Sequence, residues 1–144
     1  MKPSKSLSSR SLGFLVVVIL LGAVAVAAQQ AEMIARGKVT YRIYCQNCHG
    51  DAAKGDGRVA QWLTVKPADL TRITKANKGT FPFDRIYRVI DGREEVAGHG
   101  MRDMPIWGQV FIETSGSEDQ VRGKILQLIE FLKSIQEADD TAGG

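Results

Sequence analysis

Apolar residues are distributed unevenly along this chain. From Leu12 to Ala28 seventeen consecutive residues carry no polar side chain, and beyond them apolar positions recur only at intervals. Lys2, Lys5 and Arg10 precede the run with no acid among them, and small residues close it in AVAAQQ. That is the layout of an export signal, with cleavage expected after Ala27 or Ala28. The alternative is a retained anchor: the run is shorter than the roughly 20 residues that span a bilayer, yet longer than a usual signal core of about 7–15. No adjacent arginine pair precedes it, so a twin-arginine route is not indicated. Both outcomes place the rest of the chain outside the cytoplasmic membrane. The expected layout is a leader over 1–28, one domain over 29–136 and a flexible acidic tail over 137–144.

Within the domain the spacing is helical. Met33, Ile34, Val39, Tyr41, Ile43 and Tyr44 predict a helix from Glu32 to Asn47. HGDAAKGDGR, with three glycines and two aspartates, then breaks regular structure. Val59–Leu63 fits a short helical turn, and Asp69 is placed to cap a brief helix after Pro67. Pro82 ahead of Ile86, Val89 and Ile90, with Gly92 after them, predicts a further helix. Glu94–Pro105 reads as irregular. Val121, Ile125, Leu128, Ile129, Leu132 and Ile135 repeat at three and four residues, an amphipathic helix over Glu118–Ile135. No segment reads as a strand and no repeat is visible. The fold class is therefore mostly α: four or five short helices with long loops, a set that buries little alone and gains from a large apolar ligand at its centre.

Charge alters the picture once the leader is set aside. The chain has 19 basic and 16 acidic residues, net +3, and its isoelectric point is near 9.0. All three excess charges precede Gln29, so the domain is neutral and nucleic-acid binding has no electrostatic support. The charges are sorted, however: Lys54–Lys78 carries six bases and two acids, and Glu113–Gly144 seven acids and three bases. Separated poles orient a molecule approaching a charged partner. GKVT lacks the features of a phosphate loop, and DAAKGDG lacks the terminal Glu of a calcium loop.

The chemistry lies in YCQNCHG. The only two cysteines, Cys45 and Cys48, stand three apart, and His49, one of two histidines, follows directly. A redox disulfide needs a sheet-containing βαβ context that is missing here. Structural zinc needs four ligands, and the second histidine, His99, lies fifty residues away with no paired spacing. Covalent haem attachment gives C-x-x-C-H a reason. Haem carries two vinyl groups on neighbouring pyrroles, and positions three apart share a helix face and reach both. The next residue, His49, is then carried beneath the ring centre as proximal ligand to the iron. Haem is attached after export, in agreement with the leader.

A sixth ligand comes from His99, Met101 or Met104. A thioether suits a low-spin, electron-transferring iron and raises its potential. Met104 precedes Pro105, whose fixed φ stiffens the loop, and is favoured over Met101. His99, between two glycines, reads better as a loop residue or second donor. Core filling is the ordinary role of a methionine, and C-x-x-C-H shifts the balance towards iron. Trp107 is placed to shield a haem edge and donate its indole N–H to a propionate.

From about Met33 to Ile135 the chain resembles a monohaem cytochrome c of the class I type, on CQNCHG followed by KPADLT and MPIWG. The resemblance implies a small cytochrome c-like fold around one covalent haem c, with His49 and Met104 as axial ligands. It implies that the Pro67 carbonyl receives the His49 Nδ1–H. It also implies that Gly37 and Tyr41 of the first helix pack against Leu128 and Phe131 of the last. Tyr at 41 replaces a commoner Phe, and Met101 is a spare methionine. The function implied is single-electron transfer in the periplasm between redox protein partners such as a membrane-bound oxidase or dehydrogenase, and no enzymatic activity, because both faces of the iron are closed. The chain would touch the membrane only if the leader stays. The alternatives are a non-diffusing haem c subunit of a dehydrogenase or terminal oxidase, and a haem sensor or peroxidase-like protein should the Met ligand be labile.

Overall fold

The computed structural model describes residues 9–93 and 104–138. Every regular element among the described residues is helical. In chain order these are α1 (Ser9–Tyr44), α2 (Gln46–His49), two 3₁₀ turns (Ala60–Trp62 and Leu70–Arg72), α3 (Ile73–Ala76), α4 (Phe83–Asp91), α5 (Trp107–Ser115) and α6 (Glu118–Ser134). The chain divides into two units, Met1–Glu32 and Met33–Gly144. The described part of the first is helical, and its apolar side chains from Val18 to Val26 are exposed. Val18–Tyr44, 27 residues of mean hydropathy 1.7, is long and apolar enough to cross a membrane, a test that export signals also pass.

In the second unit the core gathers on α6. Val121, Ile125, Leu128, Ile129, Phe131 and Leu132 are all buried, as the three-and-four spacing predicts. Ser117 caps the helix by accepting from the Gln120 N–H at 3.3 Å. Ile90 of α4, Phe111 of α5, Tyr41 of α1 and Ala53 of the following loop complete the cluster.

Two readings of the sequence are corrected here, the first being that the helix expected over Glu32–Asn47 runs instead from Ser9 to Tyr44. The inward face at the end of α1 comprises Gly37, Thr40 and Tyr41, with Tyr44 half-buried, while Val39 and Ile43 are 57% and 62% exposed. Glycine lies on the buried stripe at position 37 because α6 passes too close there for a side chain. A Cβ on Gly37 would overlap the Gln127 carbonyl oxygen and come within 2.9 Å of the Phe131 Cβ. One turn on, the Tyr41 and Phe131 rings meet at 5.2 Å. The second correction is α5, which the sequence reading passed over between its irregular stretch and α6. Trp107, Val110, Phe111 and Thr114 do follow helical spacing, but the segment is only nine residues long and rich in β-branched and aromatic types.

At Glu137, where the sequence places the start of the tail, the chain is still hydrogen-bonded. The Glu137 N–H donates to the Thr71 carbonyl at 2.8 Å, and its carboxylate lies 3.7 Å from Arg72.

Gly37→Ala tests the helix crossing. Alanine gains about 0.5–1 kcal/mol of helix propensity, but its methyl meets backbone that cannot rotate aside, and overpacking costs about 1–3 kcal/mol or more. A lower denaturation midpoint of the purified protein is expected; an unchanged or higher one would refute the close crossing.

Candidate functional site

The site starts where α1 gives way to α2. Cys45 sits between the two helices, yet its N–H still donates to the Tyr41 carbonyl at 2.8 Å and its carbonyl accepts from His49 N–H at 2.9 Å. Both sulfurs therefore ride on nearly continuous helix, and both cysteines are half-buried free thiols. Burial first, then the neighbouring Cys48, pushes the Cys45 thiol up to about 12.

The glycine-rich loop after His49 does more than break the helix. It folds back so that the N–H groups of Gly55, Gly57 and Val59 donate to the carbonyls of His49, Cys48 and Asn47 at 2.8, 3.1 and 3.1 Å. These are the last carbonyls of α2, which otherwise lack partners. Gly55 has φ +77, and a side chain there would overlap the Pro67 carbonyl. The Tyr41 hydroxyl donates to the Gly50 carbonyl at 2.6 Å within the core. The hydroxyl that distinguishes Tyr41 from a phenylalanine thus ties α1 to the residue after His49.

His49 Nδ1 lies 3.0 Å from the Ala68 carbonyl oxygen. A carbonyl only accepts, so Nδ1 carries the proton and Nε2 keeps its lone pair. Burial lowers the His49 pKa, with the Ala68 contact opposing in part, and so favours this neutral ring. The resemblance placed this contact at Pro67, and the structure corrects it by one residue: the Pro67 carbonyl abuts Gly55, leaving that of Ala68 to face the imidazole.

Ala68 is held from both sides. Leu70 N–H donates to the Ala53 carbonyl at 2.7 Å. Asp69 caps the following turn, its Oδ1 accepting from Thr71 N–H at 2.9 Å and from the Thr71 hydroxyl at 2.5 Å. Those bonds, the hydroxyl's first, hold the Asp69 carboxyl below its usual 3.8 against the opposing effect of desolvation. From the end of α6, Gln136 donates to the Leu70 carbonyl at 2.8 Å and accepts from Thr74 N–H at 2.9 Å.

Met104 is half-buried and packs, with Cys45 and Trp107, against the core cluster. Trp107 opens α5, its ring 5.5 Å from Tyr44 and 6.3 Å from Phe111. His99 and Met101 lie outside the described residues. No group of three or more His, Cys, Asp or Glu side chains converges as a metal site among the described residues, so structural zinc has no footing there.

Compared with known families, residues 32–115 match the family described as cytochrome c oxidase, cbb3-type, subunit III. The match covers more than half of the chain, which belongs to that family. No curated protein and no solved structure matches it. The domain is a c-type cytochrome domain that binds haem and serves haem-based electron transfer. The residues present fit that group: an imidazole fixed by its Nδ1–H with Nε2 uncommitted, two half-buried thiols on one helical stretch, and a half-buried thioether against the same core.

Two side chains test this geometry. Tyr41→Phe leaves the buried Gly50 carbonyl without its donor, a loss of about 1–3 kcal/mol by urea denaturation; equal stability would disprove the bond's role. For Asp69 the depressed folded-state pKa means a contribution present above the ordinary carboxylate range and lost as pH falls through the folded value. Asp69→Asn keeps the cap without the titration. The wild type should lose more stability than the variant below about pH 4, and parallel acid limbs would contradict the assignment.

Proposed function

We propose that this member of the cytochrome c oxidase, cbb3-type, subunit III family is a monohaem cytochrome of the class I type. In this reading one haem c is joined by thioethers at Cys45 and Cys48 and held at its iron by His49 and Met104. The observation that supports it most is the 3.0 Å contact of His49 Nδ1 with the Ala68 carbonyl. That contact fixes the tautomer a ligand needs, directs Nε2, and raises its basicity. When bound, haem supplies a one-electron iron couple whose potential depends on axial ligands, burial and hydrogen bonding. The chain's own work is positional. The α1–α2 stretch presents the sulfurs, the 50–59 loop fixes the end of α2, and α5 sets Trp107 on Tyr44 and Phe111. With His49 and Met104 both committed to the iron, no position would be left for a substrate, and the protein would transfer electrons without being an enzyme.

The leading reading is a single-electron carrier exported to the periplasm, with the leader removed before residue 29 and the domain ending near residue 136. A second reading has two observations in its favour. The family's description names a terminal-oxidase subunit, and Val18–Tyr44 is long and apolar enough for an anchor. In that version the same haem passes electrons within a membrane complex. N-terminal sequencing of the exported protein separates them: a chain starting near Gln29 is a carrier, and one retaining Leu12–Ala28 is a subunit.

The ligand assignment is tested on the ferric protein. Wild type should show the long-wavelength charge-transfer band of sulfur on iron, and Met104→Ala should lose it and bind carbon monoxide readily once reduced. Survival of the band in the variant would transfer the role to Met101. Ready carbon monoxide binding by the wild type would favour a sensor or peroxidase-like activity instead.

A further inference from the structure

Three helices meet in one polar knot at the edge of the Met104 loop. Gly92 closes α4 with φ 66, and Arg93 follows it. The Arg93 guanidinium donates to both oxygens of Glu118, Nη1 to Oε1 at 2.6 Å and Nη2 to Oε2 at 2.9 Å. Its Nε donates to Asp91 Oδ1 at 2.8 Å. Asp91 ends α4 and Glu118 begins α6. Gly108, the second residue of α5, completes the knot. A Cβ there would overlap Asp91 Oδ1 and lie 2.7 Å from both Arg93 Nε and the Asp91 carbonyl oxygen. The absence of a side chain at 108 thus lets the carboxylate sit against the start of α5.

Asp91 is half-buried, with 14% of its side chain exposed, while Arg93 and Glu118 lie at the surface with 30% and 62% of theirs exposed. A lone surface ion pair would matter little. This one is a bidentate fork backed by a second, half-buried carboxylate, the geometry in which arginine binds well and lysine cannot substitute.

Its position gives the knot a role. In the sequence Arg93 stands eleven residues before Met104, and Gly108 four residues after it. The knot therefore fixes both roots of the chain that carries the thioether. A tethered ligand meets its metal at an effective concentration set by how its tether's ends are held. We propose that Arg93, bridged to Asp91 and Glu118 against Gly108, is a positioning residue that sets how firmly the Met104 sulfur is held at the haem iron. This rests on the reading of Met104 as sixth ligand.

The test uses the purified ferric holoprotein and titration with free imidazole, which competes with the thioether for iron. The readout is loss of the sulfur-to-iron band. Arg93→Gln and Glu118→Gln should each lower the half-displacing imidazole concentration about three- to tenfold, with the double variant no lower than Arg93→Gln alone. Arg93→Lys, lacking the fork, should not restore the wild-type value. Lys133→Ala removes a surface pair with Glu130 at the far end of α6 (2.9 Å) and should titrate as wild type. An unchanged half-point in Arg93→Gln, or an equal fall in Lys133→Ala, overturns the proposal. Should Arg93→Gln fail to accumulate with haem, Glu118→Gln alone decides by the same criterion. A wild type without the band refutes Met104 as ligand and this proposal with it, whereas a band in wild type with unmoved variants refutes only the knot.

Discussion

The hydrogen bond from His49 to the Ala68 carbonyl is the constraint on which the site depends. An imidazole next to two cysteines has two nitrogens and many orientations, and only one arrangement leaves Nε2 free to bind a metal in a fixed direction. Protonating Nδ1 and anchoring it to a backbone oxygen selects that arrangement. A backbone acceptor suits this purpose because substitution of a side chain does not remove it.

The rest of the second unit can be understood as support for the two partners of that bond. On the histidine side, Tyr41 ties the end of α1 to Gly50, and the returning loop covers the last carbonyls of α2. On the acceptor side, Asp69 caps the turn after Ala68, while Gln136 and Glu137 hold that turn to the end of α6. Helix α6 is thus core and clamp together. Its middle packs on α1, α4 and α5, its C-terminal end reaches the proximal loop, and its first residue, Glu118, takes part in the knot beside the Met104 loop. Mostly helical architecture with short elements suffices because several of them are positioned by polar contacts at their ends rather than by large buried faces.

Much of this was legible in the sequence wherever a residue's chemistry or a strict period carried the signal. C-x-x-C-H marked the stretch that carries the candidate site, the spacing of Val121 to Leu132 marked α6 and its buried face, and Asp69 was recognisable as a cap. Gly37 and Tyr41 against α6 followed from the resemblance and are present in the fold. What was missed depended on information that residue types do not carry. Which carbonyl faces an imidazole is decided by backbone direction, so Pro67 was expected where Ala68 stands. Helix α5 was obscured by its brevity and its β-branched residues. Hydropathy alone likewise does not show that Val39 and Ile43 are exposed while Gly37 and Thr40 are buried. The knot of Asp91, Arg93, Gly108 and Glu118 joins residues distant in sequence, and nothing local announces it.

The most direct test is nitrogen-15 NMR of histidine-labelled protein in the reduced, diamagnetic state. The account predicts that His49 carries a slowly exchanging proton on Nδ1, scalar-coupled to the Ala68 carbonyl carbon, with its Nε2 resonance displaced by coordination. A rapidly exchanging Nδ1 proton, or coordination through Nδ1 in a coloured, folded protein, would contradict it.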